Sequence, residues 1–465
     1  MKKTIYPSIL VAAVIAALIL VAPKSANAHT MDEPFRTDLI AGQHTKAGEV
    51  LVWNDANNLY VRYVTEGGWC ITELHLDVAA SLEDIPQKNG NPIPGHFDYS
   101  KSFGSCVQEE TFTIPINPDW FNSCSLYIAA HAVVHNSGQN GNGKGRTETA
   151  WGAGSDFPGK NWATYFNYNL QTVERYPEVG NSYVGIEDWF NGDFDYNDFG
   201  MNFEIAEEYI QGCTASEEPT QFLTSVTVTT SAVVYDSGMD HLIHIRRPLN
   251  GSYSYQVSRS VPADPNELTL WDGATGKETP AGVYSGSSEL DVTLYNTSKY
   301  TWPQKQIGET VVFKVVLDDP SANPKEPVEP PRSFTVDSTT FYDLPPILGN
   351  YDLWFEGTLF ESRFHLSDTE IISDTTQQKN TPAIIPLDTE VPFILVVPFT
   401  NWIPPFEDTT ITSPYGSFDD FYLTASPADW FMPSMVTNNC VGPGGLSFGP
   451  YLDLPDLPPF GPPCQ

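Results

Sequence analysis

The residues best equipped for chemistry lie in one run: Gly185-Ile186-Glu187-Asp188-Trp189-Phe190-Asn191-Gly192-Asp193-Phe194-Asp195-Tyr196-Asn197-Asp198-Phe199. Asp193, Asp195 and Asn197 recur at every second position, and in a turning loop side chains at this spacing converge on one point. Such oxygen donors suit a hard cation, since Ca²⁺ takes about six to eight oxygen ligands from Asp, Asn and backbone carbonyls. Glu187, Asp188 and Asp198 complete the candidate set. Crowding these carboxylates is costly unless a cation neutralises them. Counted from Asp193, the helix–loop–helix calcium motif finds its acidic positions, with Glu204 at its end, but Asp198 stands where that motif needs Gly. Beyond it Phe199, Met201, Phe203 and Ile205 alternate with small or polar residues, a strand signature. The expectation is a calcium-type loop feeding a strand, with Glu204 outside it. The competing reading is a solvated acidic turn.

Other motifs fall short of a reaction. Gly445-Leu446-Ser447-Phe448-Gly449 has the spacing of a nucleophile elbow, but no His follows His365 and prolines crowd the segment. Gly138 to Arg146 carries Gly and Lys without phosphate-loop spacing and reads as a hairpin loop. His131 and His135 share one side of a strand, with His75 as a third candidate, and satisfied strand histidines are the expectation. Cleavage after Ala28 would expose His29 as a terminal copper ligand, but the acidic stretch after it opens no strand to hold such a site. With 58 acidic residues, no carboxylate pair for glycoside hydrolysis can be singled out. No catalytic residue and no organic cofactor is assigned.

The elements that must position the acidic loop are strands. Glu49 to Trp53 and Leu59 to Val64 alternate around the turn Asn54 to Asn58. Cys70 to Val78, Thr111 to Ile116, Ser125 to His135 and Trp162 to Tyr168 continue the pattern. A second series starts near Phe199 and runs through Leu223 to Tyr235, Leu242 to Ile245, Ser252 to Val257, Leu290 to Leu294, Val311 to Leu317, Tyr351 to Phe355 and Phe393 to Val397. Asp318 to Arg332 is Pro-rich and acidic, a linker or long loop. No amphipathic segment of helical length and no internal repeat stands out. The fold class is all-β: two β-sandwich-like modules with a Pro/Gly-rich C-terminal tail. The divisions are a signal peptide at 1–28, an N-terminal module at 29–178, a second β domain at 179–436 and a tail at 437–465.

Lys2 and Lys3, the apolar stretch Ile5 to Ala22 and Ala26-Asn27-Ala28 read as a cleaved export signal. The six cysteines agree, as an even set in an oxidising compartment, and proximity favours Cys106–Cys124 and Cys440–Cys464. The chain of 465 residues carries a net charge of −35. Nucleic acid and anionic membrane surfaces are poor partners for that balance. Hydrophobic residues at 40% and charged residues at 17% supply enough apolar surface for cores, so wholesale disorder is excluded.

The acidic run, with Glu187-Asp188 ahead of Gly192-Asp193-Phe194-Asp195-Tyr196-Asn197-Asp198, resembles the opening of the LruC-domain family of bacterial exported proteins. Ala232 to Gly238 with His241, Phe360 to Leu366, and Pro392 to Pro398 with Trp402 and Pro404-Pro405-Phe406-Glu407 follow that family's order. The likeness spans about 181–435. In its Arg/His segment a single residue separates Arg363 from His365, and Pro414 to Phe421 matches only loosely. Residues 38–170 are similar to another module of exported proteins through Gly90 to Gly95 and Glu148 to Gly152. The resemblance implies a secreted or surface β-protein with no established reaction and a cation at the acidic loop. The combined reading is a non-enzymatic secreted or cell-envelope protein, without a membrane span after signal cleavage. Ca²⁺ at 187–198 would rigidify the junction between the modules, in a structural or interaction role. A carbohydrate-binding surface protein is the alternative, a secreted hydrolase the third reading, and an extracellular glycan or surface protein the further partner class.

Overall fold

Side chains alternate across a strand, so Val50 and Val52 of strand Thr45–Asn54 point the same way as Leu59, Val61 and Tyr63 of strand Asn58–Thr65, and all five are fully buried. The antiparallel register pairs Val50 with Tyr63 and Val52 with Val61, which makes one apolar face from two short sequences. A computed structural model describes residues 29–138, 145–177, 180–301 and, with short omissions, 304–397, together with 411 and 418. These residues form strands and 3₁₀ turns, with no helix of seven residues or more. The predicted signal segment, the tail, and Cys440 and Cys464 lie outside them.

The first sheet runs Tyr99–Val107, Trp69–Ala79, Leu126–Asn136, Arg146–Gly152, Phe35–Ala41, Thr45–Asn54, Asn58–Thr65, Glu109–Pro115. Its two end strands are separated in sequence by Gln108 alone, whose carbonyl accepts the Thr65 N–H at 2.8 Å. One continuous segment therefore serves both edges, and the sheet curls until it nearly closes around Leu39, Val61, Leu74, Ile128 and Val134.

The second sheet runs Arg363–His365, Asp352–Gly357, His241–Arg259, Thr310–Leu317, Pro219–Tyr235, Phe199–Cys213, Ser182–Ile186, Ile394–Val397. Gln171–Tyr176 also pairs with Phe199–Cys213, and Gly282–Asn296 with His241–Arg259. The long strands bend at bulges, at Gly200/Met201 and Glu208/Tyr209 in one and at Ile243/His244 in another. Bending lets His241–Arg259 pair first with Asp352–Gly357 and then with Thr310–Leu317, wrapping the sheet around Phe199, Val228, Ile245, Phe313 and Phe355.

Among the described residues the disulfides are Cys70–Cys106 and Cys124–Cys213, which overturns the expected Cys106–Cys124 pair. The register that pairs Ile71 with Val107 sets Cys70 beside Cys106, whereas Cys124 faces the end of strand Phe199–Cys213. Sequence separation carried no information about either neighbour. The Cys124–Cys213 bond joins the two sheets, and polar contacts flank it. Gln211 Nε2 donates to the carbonyls of Trp120 and Ser123 at 2.7 and 2.6 Å, and Asn54 donates to the Gln171 carbonyl at 2.7 Å.

His131 lies on the outer face of the first sheet, covered by Trp151 with ring centroids 4.8 Å apart. Burial, and then the neighbouring His75, pushes its imidazole down to about 3. Between that value and the ordinary 6.5 the unfolded chain binds a proton that the folded chain does not. Stability is therefore expected to fall as pH drops below 6.5, by about 1.4 kcal/mol per pH unit. Urea unfolding between pH 7 and 4 checks the slope, and His131→Gln should reduce it.

Candidate metal centre

Strands Ser182–Ile186 and Phe199–Cys213 pair directly, Ile186 opposite Phe199, and residues 187–198 are the connection between them. The expectation that the acidic run feeds a strand agrees with this placement. Phe194 and Tyr196 take left-handed φ values of 53° and 55°, a conformation that costs L-residues about 1 kcal/mol or more. Turning at alternate residues curls the D-x-D spacing around one side. Both rings are fully buried. The Tyr196 hydroxyl donates to the Pro392 carbonyl at 2.8 Å, and the Phe194 carbonyl accepts the Ile411 N–H at 3.0 Å. Burial of the two rings offsets the strain of the turns.

The curl brings Glu187, Asp193 and Asp195 together, one ligand oxygen from each lying within 4.8 Å of the others. Glu187 is only 1% exposed, and its Oε2 has no hydrogen-bond partner. Burial pushes its carboxyl well above the usual range, and Asp198, Asp193, Asp195 and Asp188 add like-charge repulsion. Leaving a buried acceptor unmade costs about 1–3 kcal/mol, more for a charged one. A cation would remove both penalties. The donors are all oxygen, which fits a hard cation better than a soft one. Glu187, Asp193 and Asp195 would hold it. Gly192 is required beside them, since a Cβ there would lie 2.2 Å from Glu187 Oε1 and 2.9 Å from the Trp189 carbonyl.

The other three residues of the predicted set make hydrogen bonds within the loop and to its neighbours. Asp198 Oδ2 accepts the Asp188 N–H at 2.7 Å and closes the loop across its base. Asp188 Oδ2 accepts the Ser237 hydroxyl at 2.5 Å and faces His241 Nε2 at 3.2 Å. Asn197 is buried, and its N–H donates to Asp195 Oδ1 at 3.1 Å. Ser237, Asp188 and His241 have the residue types of a hydrolase triad without its order, because the hydroxyl is bonded to the carboxylate. The tie between the loop and the Ser237–His241 turn was missed as a site feature, although both segments belong to the quoted resemblance. Asn191 was missed too: its Oδ1 accepts the N–H groups of Ser373 and Asp374 at 2.9 and 2.8 Å, across a separation no spacing rule reaches.

The loop does not lie at the junction of the sheets, which corrects the expected role there. It feeds the start of Phe199–Cys213, and Cys213 at the other end bonds Cys124. A strand of 15 residues at about 3.3 Å per residue puts nearly 50 Å of chain between them. His75 and His131 do meet, Nδ1 to Nδ1 at 3.3 Å, while His135 turns to Thr147 at 3.1 Å. His29 packs on the rings of Phe35 and Tyr168.

No family model matches the chain, and no curated protein matches it. The resemblance to the LruC-domain family therefore stands on its motifs alone. Among solved structures, a chain from Bacteroides ovatus described as a "Putative lipoprotein" is similar at 7% identity and a TM-score of 0.33, covering 69% of this chain and 90% of its own. At that TM-score the likeness carries no argument.

Gly192→Ala is expected to weaken cation binding by about tenfold or more, through the displaced Glu187 carboxylate. Gly95→Ala, where a Cβ meets nothing within 4 Å, should leave it unchanged. Calcium titration calorimetry on the two variants checks the pair.

Proposed function

We propose that this chain is a secreted or cell-surface, non-enzymatic β-protein whose acidic loop binds Ca²⁺, with a structural or interaction role. The observation that carries the reading is the buried Glu187 carboxylate, with an oxygen that has no partner, facing Asp193 and Asp195. The two disulfides fit an oxidising, extracellular or envelope setting. No helix among the described residues is long and apolar enough to cross a membrane.

The work assigned to the cation is to fix a hub. From the loop, the Glu187 N–H donates to the Phe393 carbonyl at 2.8 Å, the Asp198 carbonyl accepts the Asp236 N–H at 3.2 Å, and the Asn191 N–H donates to Glu370 at 2.6 Å. Phe190 packs against Phe364 and Phe393, both with ring centroids at 5.2 Å. Bound calcium would stabilise the folded chain because the unfolded chain lacks the site. The LruC-type reading of residues 181–435 belongs to this proposal and agrees with it through the order of the same motifs.

Thermal unfolding of residues 29–465 tests it. Calcium at about a hundred times its dissociation constant adds about 2.7 kcal/mol, a rise of about 5–10 °C for a domain of this size. The double variant Asp193→Ala/Asp195→Ala should lose that rise and unfold in EDTA no earlier than the parent, since it relieves repulsion. Equal midpoints for the parent with calcium and with EDTA would overturn the assignment.

A further inference from the structure

Along His241–Arg259 the inward positions are Ile243, Ile245, Arg247 and Leu249, and along Phe199–Cys213 they include Phe203, Ile205, Glu207 and Tyr209. A charged pair thus occupies two core positions, one on each strand. Arg247 is 7% exposed and ion-paired with Glu207, which is fully buried. The Glu207 carboxylate also accepts the hydroxyls of Tyr351 at 2.7 Å and Tyr209 at 2.5 Å. A buried ion pair is usually no more stable than an apolar pair of the same volume, so stability does not account for its presence. Arg247 Nε is buried without an acceptor, which makes the arrangement costlier still.

Arg247, Tyr209 and Tyr351, the three partners of the buried Glu207 carboxylate, line a cavity of about 490 Å³, within the usual range for small-molecule sites. Its rim carries two more cations, each already matched: Arg246 with Asp352, and Lys325 with Glu174. The wall therefore offers many donors and acceptors with no excess positive charge, which disfavours an anion. Ammonium ligands are disfavoured too, because Arg246 stands against both rim carboxylates, Asp352 and Glu289. Hydroxyl groups, which donate and accept at once, suit such a wall. The aromatic rings are covered, Arg247 lying 4.7 Å from the centroid of Tyr351 and Lys325 5.0 Å from that of Tyr209, so recognition would run through hydrogen bonds rather than ring stacking.

We propose that this cavity binds a neutral, hydroxyl-rich small molecule of the sugar class, with Arg247, fixed from behind by Glu207, on its floor. The site is independent of the acidic loop and of its cation.

Ligand-observed NMR and calorimetry on the full exported chain, in constant calcium, test this with glucose, galactose, mannose, N-acetylglucosamine, maltose and cellobiose. Acetate, glucuronate and phosphate are the anionic probes. At least one neutral sugar should bind saturably and more tightly than any of the anions. Arg247→Lys keeps the charge but loses the planar guanidinium fork and should weaken that sugar by about tenfold. Lys325→Met at the rim should weaken it by about threefold without unsettling the floor, and Lys101→Gln on the first sheet should change nothing. Absence of saturation by every sugar up to about 50 mM would overturn the proposal. So would anions that bind as tightly as sugars, or affinities unchanged in both cavity variants.

Discussion

Carboxylates placed together in a dry loop repel one another, and the end of the second sheet is built around that fact. Glu187 lies inside the protein against Asp193 and Asp195, and four stretches distant in sequence bond or pack onto the loop that holds it: 236–241, 364–374, 391–394 and Ile411. Whatever settles the charge of that cluster settles the packing of these stretches. Elsewhere the chain supplies its own counter-charges. Glu278 and Glu309 are buried against Arg259 and Lys299, and Glu207 against Arg247. Glu187 has no such cation among the described residues, which is why a metal is the natural complement there.

The long strand Phe199–Cys213 organises the rest. The acidic loop enters it at one end, the disulfide to the first sheet leaves from the other, and Glu207 and Tyr209 sit between. The strand is paired with Pro219–Tyr235 on one side and with Ser182–Ile186 and Gln171–Tyr176 on the other. The acidic loop, the polar cavity and the joint between sheets thus share one strand. The first sheet nearly closes on itself through Gln108 around its own core.

Much of the architecture was legible because strands announce themselves by alternation. The hairpin of Val50, Val52, Leu59 and Val61, and the run Phe199, Met201, Phe203 and Ile205 after the acidic loop, were readable since a period of two separates a buried from an exposed face. The convergence of Asp193 and Asp195 was readable for a related reason, since short-range spacing controls short-range geometry. Spacing does not reach the bonds that tie this loop to its surroundings, from Asp188 to Ser237 and from Asp198 across the loop base.

Only the tertiary structure decided what lies next to what across long separations. Cys124 chose Cys213 over Cys106, and Asn191 found Ser373, because strand register and sheet curvature bring those residues together. Arg247 and Glu207 each fall on the inward phase of their strands and meet across the core, a pairing that strand register and curvature decide. By itself the sequence determined the class of fold and the place of the acidic loop, through local periodicity and the clustering of oxygen donors. Which carboxylates face one another, how the two sheets are joined and where a buried charged pair sits behind a cavity wall were decided by long-range packing, which no local pattern encodes.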